Sequence, residues 1–465
     1  MLRIVLKREI LHNLYSLRFA VSMALVLAVF IAGSLSFVRN QETALDKYRE
    51  TQAGFLDDMK KNAAENATIL AVTQRTYDLR PRDNSFIADA KEKYLPNAVA
   101  FSAWNVFSFQ NRSGSANPFL IKFDELSWAF IAVLIVSFIV LLFTFDAVSG
   151  EKESKTLALT LSNSVSRAAL LLGKYLSAVV SVLLLLVPAV LISLLIVLLA
   201  GRTPFTASLV GETAGFLAVS GLFAATMAAF GLLSSVFVRN SNVSLLLALS
   251  FWLLFAVVVP NSSSFLAKKM YPIERSEAVQ HKVNAAFDDL NKNAPPGSWM
   301  MNPGNPFLPQ HELRANLQMK ILVSEKQIRD AYYQSMFSQF EKTRLLTAAS
   351  PMLSFEYLIE ALVGGGYPRF RKAWDNLHVY QGQFLAFFKN LDAQDPKSPH
   401  WYNPNGTVST TRLPVAFETV PQFSERSMTF ADRAKPAAVY LVILILMTGI
   451  VYLLSYFLFV RYDVR

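Results

Sequence analysis

The chain contains no cysteine. No disulfide can brace it, thiolate chemistry and iron–sulfur ligation are excluded, and any part facing an oxidising compartment must hold together by packing alone. Charge is the second scarcity: 17% of residues are Asp, Glu, Lys or Arg, where a soluble protein carries about a quarter. Histidine is rare too. Of five, His281, His311, His378 and His400 fall in the second half, and none stands in a convincing metal-ligand spacing. Neither Gly-x-Ser-x-Gly nor His-Glu-x-x-His occurs, so no enzyme active site, metal or bound cofactor is expected in this chain.

What is present in excess is apolar, at 53% of residues. The excess collects in six runs free of Asp, Glu, Lys and Arg: Phe19–Val38, Trp128–Phe145, Leu176–Leu199, Ala214–Phe237, Val243–Val259 and Ala437–Val460. Each is close to the ~20 residues that carry a helix across hydrocarbon. The first run could be a signal peptide, but no clear small-x-small cleavage site follows it, and five more runs argue for a membrane protein. The fold class expected is an α-helical polytopic membrane protein, with six transmembrane helices plus mainly helical extracytoplasmic domains.

The formal net charge is +10, and its placement points to a membrane rather than to nucleic acid. Arg3, Lys7, Arg8 and Arg18 precede the first run; Lys152, Lys155, Arg167 and Lys174 lie between the second and third; Arg239 follows the fourth, and Arg461 and Arg465 follow the sixth. With six spans these all fall on one side, and short basic loops stay in the cytoplasm. A multi-pass protein of a bacterial inner membrane with both termini inside is expected, its tail being residues 461–465. Segments 39–127 and 260–436 then form two outside domains. The spans themselves carry almost no ionisable residue, which argues against an ion-coupled carrier and for energy supplied from elsewhere. Pro188 should kink the third span, with Ser181 and Ser193 near to satisfy freed carbonyls. The fourth is rich in small residues, Gly231 among them, which allow close helix contact.

Residues 1–18 place Leu2, Val5, Leu6, Ile10, Leu14 and Leu17 at helical spacing against a basic face, predicting an amphipathic helix lying in the interface. In segment 39–127, Gln41–Lys60 is a polar helical pattern, Arg80-Pro81-Arg82-Asp83-Asn84 is a turn, and the aromatics of Ala98–Gln110 form an interfacial belt or a small core. Segment 260–436 is expected to be mainly helical, over Glu274–Lys292 and His311–Thr347, followed by Ser350-Pro351, an amphipathic piece to Leu362 and Gly364-Gly365-Gly366.

Between the second and third runs, 146–175 holds a charged cluster, Gly150-Glu151-Lys152-Glu153-Ser154-Lys155-Thr156-Leu157. Charge is costly in lipid, so the cluster belongs at a membrane surface. A phosphate-binding loop is rejected: Ser154 stands where its last glycine is required, an apolar span replaces the preceding strand, and Glu151 and Glu153 would repel phosphate. ATP hydrolysis by this chain is therefore not expected. A helix over Gly150–Leu161 would carry Glu151, Glu153 and Lys155 with an apolar side of Leu157, Leu159 and Leu161. Composition leaves a helix that docks on a soluble partner and an ordinary solvated turn equally open.

The residues Phe145-Asp146-x-x-Ser149-Gly150-Glu151-Lys152-Glu153-x-x-Thr156-Leu157, with Leu161-Ser162-Asn163-x-Val165-Ser166-Arg167 and Leu172-Gly173-Lys174-Tyr175, closely resemble the ABC-2 type permease family. The likeness is nearest to its six-span branch of copper-enzyme-maturation and gliding-motility permeases, and is specific over residues 126–260. The order of amphipathic helix, large loop, four close spans, large loop and last span is similar to members with two outside domains. One departure is Lys155, where the family usually has glycine. The resemblance implies a transporter permease, exporting its substrate, that pairs with a second permease chain and with two separate ATP-binding subunits holding ATP and magnesium. In that family this segment forms the coupling helix. It implies Glu151, Glu153 and Thr156 as coupling residues, Asp146 and Arg167 as positioning residues, and Gly150, Lys152 and Leu157 as parts of the same segment. The alternative is an ATPase-driven mechanotransmission or assembly factor acting on periplasmic partners without a conducted substrate; a membrane receptor without an ATPase is a third.

Overall fold

The computed structural model describes residues 2–90, 92, 95–110, 126–162, 165–300, 305, 307–404 and 410–462. Six of its helices are long and apolar enough to cross a membrane. In chain order the helices begin with α1 (Leu2–Leu14), α2 (Leu17–Glu65) and α3 (Ala67–Val72). A three-stranded antiparallel sheet follows, β1 (Arg75–Asp78), β2 (Ala98–Phe101) and β3 (Ser108–Gln110), in register Thr76 opposite Ala100 and Val99 opposite Phe109. The bundle then resumes with α4 (Trp128–Ile131), a π-helical turn (Ala132–Val136), α5 (Ser137–Thr144), the short α6 (Ser149–Glu153) and α7 (Thr156–Ser162), α8 (Arg167–Leu199), α9 (Ala207–Phe237) and α10 (Ser241–Leu253). A second π-turn (Leu254–Val258) leads to α11 (Val259–Met270), and then come α12 (Ser276–Lys292), α13 (Pro309–Thr347), α14 (Pro351–Leu362), α15 (Gly366–Ala393) and α16 (Phe430–Arg461).

The helix α1 does not lie free. It packs lengthwise on α8, where Gly173 leaves so little room that a Cβ would come within 2.6 Å of Val5 Cγ1, and Asn13 Nδ2 donates to Ser181 Oγ at 3.1 Å. Ser181 thus takes a donor from α1. Ser193 likewise serves a neighbouring helix, accepting from Trp128 Nε1 at 2.6 Å while hydrogen-bonded to Ser34 Oγ of α2. The expectation that these two serines serve Pro188 gives way to cross-helix bonds, which satisfy polar groups where no water competes.

Proline and π-turns explain the second unusual contact. Pro260, the second residue of α11, has no N–H to give the turn before it, and that turn is the wide one at Leu254–Val258. One of its carbonyls, Phe255, accepts instead from Ser350 Oγ at 3.2 Å, the residue that also caps α14. The amphipathic piece after Ser350 therefore returns into the bundle. Met352, Phe355, Leu358 and Ile359 belong to the same buried cluster as the spans, and Phe355 stacks on Phe223, halfway along α9, with ring centroids 4.5 Å apart.

The described residues of segments 39–127 and 260–436 form one head. Its core is aromatic: Phe55 of α2, Tyr77, Phe101, Trp104 and Phe107 of the sheet region, and Tyr380, Phe384 and Phe388 of α15. The aromatics of Ala98–Gln110 are thus core. Backbone bonds cross between the segments, from Ala67 N to Leu413 O (2.9 Å) and from Val415 N to Ala63 O (2.8 Å). The helix α2 runs unbroken from the bundle into this head for 49 residues, roughly 73 Å at 1.5 Å per residue.

The small residues of α9 show their purpose at Gly231, where a Cβ would fall 1.9 Å from Thr144 Oγ1 of α5. That backbone approach has no room to give. Gly231→Leu should force α5 and α9 apart and lower stability by about 1–3 kcal/mol or more, read as a fall in melting temperature in detergent; a variant that melts with the wild type would contradict this packing.

Candidate coupling site

The chain leaves α5 at Thr144 and turns through residues 145–148 into α6. Two backbone N–H groups there, of Val148 and Ser149, both donate to Ser235 Oγ of α9 at 2.9 Å, which fixes the turn against the bundle. The helix expected over Gly150–Leu161 is broken in two. Lys155, between α6 and α7, has φ +59°, the left-handed region that glycine enters freely and other residues enter at a cost of roughly 1–2 kcal/mol. The departure from the resembled pattern thus falls at the one backbone position among this segment's described residues that favours glycine. Leu157, Leu159 and Leu161 all follow the break within α7 and do not share a face, because at 3.6 residues per turn Leu159 falls opposite the other two: Leu157 is buried, Leu161 half-buried and Leu159 exposed.

Around this break the charged residues close off the ends of other helices. Asp146 pairs with Arg18 at the start of α2 (2.7 Å), and Arg18 also donates to Leu142 O. Lys152 Nζ donates to the carbonyls of Val236 and Val238 at the end of α9 and lies over the Tyr462 ring at 4.3 Å. Glu153 Oε2 accepts from Ser241 N at the start of α10 (3.0 Å). Arg167 Nη1 donates to Val460 O (2.6 Å) and Tyr462 O (3.0 Å) at the end of α16. Cations meet carbonyl ends and a carboxylate meets an amide end, the arrangement that helix termini favour. Gly150 is less demanding, since a Cβ there would make only ordinary contacts at 3.7 Å.

Glu151 turns inward. Its Oε1 lies 2.8 Å from Lys174 Nζ, which also meets Glu9 Oε1 at 3.2 Å. The Lys174 side chain is 6% exposed, so α1, α6 and α8 converge on a cation that water barely reaches. The sequence reading missed Glu9 and Lys174 as partners, although Glu9 is the sole acid in the first eighteen residues. Left outside this network are Ser154, Lys155 and Thr156, all exposed, together with the outer face of Glu153, and Leu159 is exposed next to them. The segment therefore has a fastened base and a free tip.

A second polar network closes the opposite end of the bundle. Glu212 of α9 accepts from Arg433 of α16 (2.7 Å) and from Asn84 Nδ2 (2.7 Å), and Asn84 Oδ1 accepts from Arg82 (2.9 Å). Arg82 pairs with Glu92 at 2.7 Å, and Glu92 with Arg369 of α15 at 3.2 Å. Burial works against the Arg369 charge, but Glu92 and Glu425 outweigh it and push its pKa up. The glycines at the start of α15 touch this network: Gly364 and Gly366 have φ +65° and +60°, Gly366 N donates to Glu92 at 2.8 Å, and a Cβ on Gly365 would strike Arg82.

Lys174→Ala should strand two part-buried carboxylates and cost about 3–5 kcal/mol, whereas Lys174→Met with Glu9→Gln and Glu151→Gln should recover most of the loss. Thermal unfolding in detergent checks both, and a triple variant no better than the single one would deny the pairing its place in the fold.

No curated protein matches this chain at significant similarity. The family model described as "ABC-2 family transporter protein" matches residues 3–464, nearly the whole length, and so covers the span order, the segment between the second and third spans, and the head together. The chain, a multi-pass α-helical membrane protein, belongs to the ABC-2 transporter family and is an ABC transporter permease.

Proposed function

We propose that this permease exports a substrate across a bacterial inner membrane, driven by ATP that two separate ATP-binding subunits hydrolyse, and that it works beside a second permease chain. Both termini and the segment 146–166 face the cytoplasm in this reading, and the head faces outward; ATP and magnesium belong to the partner. The observation that carries it is the fastened base with its free tip. Thr156, with its neighbours Ser154, Lys155 and Leu159, meets the ATP-binding subunit. Asp146, Glu151, Lys152, Glu153 and Arg167 pass movement on, because each holds a different helix. Buried Leu157 anchors α7, and Gly150 begins α6 beside Asp146 and Ser241. A partner that presses on the tip thus presses on α1, α2, α8, α9, α10 and α16 at once. For the state to change, the ATP-bound partner must contact the tip better in one arrangement of the spans than in another.

Reversing Glu151 would break the fold as well as the coupling, so the test belongs on the tip. Thr156→Arg and Leu159→Arg should leave the melting temperature within a degree or two of the wild type. They should reduce transport and permease-stimulated ATPase activity at least tenfold in the reconstituted complex. Full stimulation with both arginines present would defeat the proposal. Lys155→Gly relieves a left-handed backbone and should add about 1 kcal/mol of stability, read as a higher melting temperature; no gain would mean that the strain is absent.

A second reading has an observation of its own. The continuous α2 and the chain from Glu212 through Asn84, Arg82 and Glu92 to Arg369 join the spans stiffly to the head. Such a joint suits transmission of force to periplasmic partners without a conducted substrate. Spin labels at introduced cysteines in the tip and in α15 distinguish the two: an ATP-dependent displacement of the head that Glu212→Gln abolishes would favour transmission, and a head that stays fixed would favour conduction.

A further inference from the structure

A cleft of about 570 Å³ lies where the head meets the bundle, bounded by α2, the turn at residues 80–84, the link between α8 and α9, α15, and the strand of chain before α16. Its walls are uneven in charge, with six basic side chains against three carboxylates. The three acids are engaged by cations already described or by a near neighbour: Glu212 by Arg433, Glu425 by Arg369, and Asp83 by Arg80. Arg82 and Arg369 are also answered by Glu92 from behind the wall, so the cationic capacity left over lies with the remaining basic groups. Arg433 Nε is buried and has no hydrogen-bond partner among the described residues. Arg426 stands exposed at the cleft, and Lys372, 35% exposed, reaches Asp432 only at 3.3 Å. Neutral hydroxyls, among them Tyr48 and Thr206, complete a lining suited to a polar anion.

The second feature is what borders the cleft. Thr203 and Thr206 come from the link between two spans, so the cleft opens at the level where the apolar parts of α8, α9 and α16 begin or end. Large apolar side chains stand exposed beside it in sequence: Phe205 at 72%, Val210 at 47% and Phe430 at 86%. A soluble anion would gain nothing from these exposed neighbours of the lining residues. An amphiphile would gain from both, with its charge among the basic groups and its chains along the apolar helices.

We propose that this cleft binds a phosphate-bearing anionic group, and that its source is the headgroup of a membrane lipid. The site follows from the charge and shape of the cleft and does not depend on whether an ATP-binding subunit acts on the tip. A lipid held there would touch α2, α9, α15 and the approach to α16 together, and so would favour whichever arrangement of head and bundle keeps these elements adjacent.

The test is lipid retention by the purified full chain in nanodiscs or detergent, read by native mass spectrometry with phosphatidylglycerol and phosphatidylcholine supplied equally. Phosphatidylglycerol should be retained at least fivefold over phosphatidylcholine. Lys372→Glu with Arg426→Glu, both away from the buried network, should remove that preference, while Lys268→Glu with Lys269→Glu, at the end of α11, should keep it. Size-exclusion profiles and melting temperatures establish that both variants are folded. Equal retention of the two lipids, or equal loss in both double variants, would overturn the proposal, the latter pointing to general surface attraction. Inorganic phosphate added alone separates the sources. If millimolar phosphate protects the cleft and no lipid preference exists, the anion site stands and the lipid source falls; if phosphate fails to displace retained phosphatidylglycerol, the lipid source stands.

Discussion

Everything at one end of this bundle depends on a lysine that water scarcely reaches. Lys174 holds Glu9 and Glu151 together, and neither carboxylate nor ammonium could remain in such a place alone. The pairing therefore dictates position. It draws α1 down onto α8, turns α6 inward, and leaves the following residues no course but outward, across a left-handed Lys155. Lys152, Glu153 and Arg167 add to the same pattern, each satisfying a helix terminus that would otherwise expose bare amides or carbonyls, and Asp146 ties in Arg18 at the start of α2. A segment that has only a few turns of its own is made rigid by six other helices.

The opposite end solves a similar problem at larger scale. The head must be held in orientation over the spans without disulfides, and three devices do so. One is α2, which belongs to both parts. Another is α14, which returns from the head to pack Phe355 against Phe223 deep within the bundle, its entry fixed by Ser350 on the carbonyl that the turn before Pro260 leaves open. The third is the ion-paired path from Glu212 to Arg369, with three glycines pressed against it because no side chain fits. Movement at the tip and movement at the head are thus linked by packed helices rather than by a flexible hinge.

How much of this the sequence disclosed follows from the range of the forces involved. The six spans were legible because hydrocarbon demands a minimum apolar length, and each expected run lies within a helix long enough to cross. The charged segment was legible because charge is rare beside such runs. What lay hidden were pairings over long separations: Glu9 with Lys174, Arg167 with the end of α16, Ser350 with Phe255. No local pattern encodes them. The helix expected over Gly150–Leu161 misled for another reason, since lysine has good helical propensity and nothing at Lys155 signals a left-handed backbone except the glycine usual in the family. Two outside domains were expected where one head forms, because the aromatics of residues 98–110 find their partners in α15, far along the chain.

The central claim is that the free tip, held on this fastened base, is where another protein's ATP cycle enters. Because the chain has no cysteine, a single introduced thiol reports without ambiguity. Thr156→Cys carrying a short photocrosslinker should form an adduct with the co-expressed ATP-binding subunit, with a yield that changes when ATP is supplied, while the same probe at Gly382 in the head should form none. An adduct from Gly382 and none from Thr156, in a complex that still hydrolyses ATP, would contradict the account.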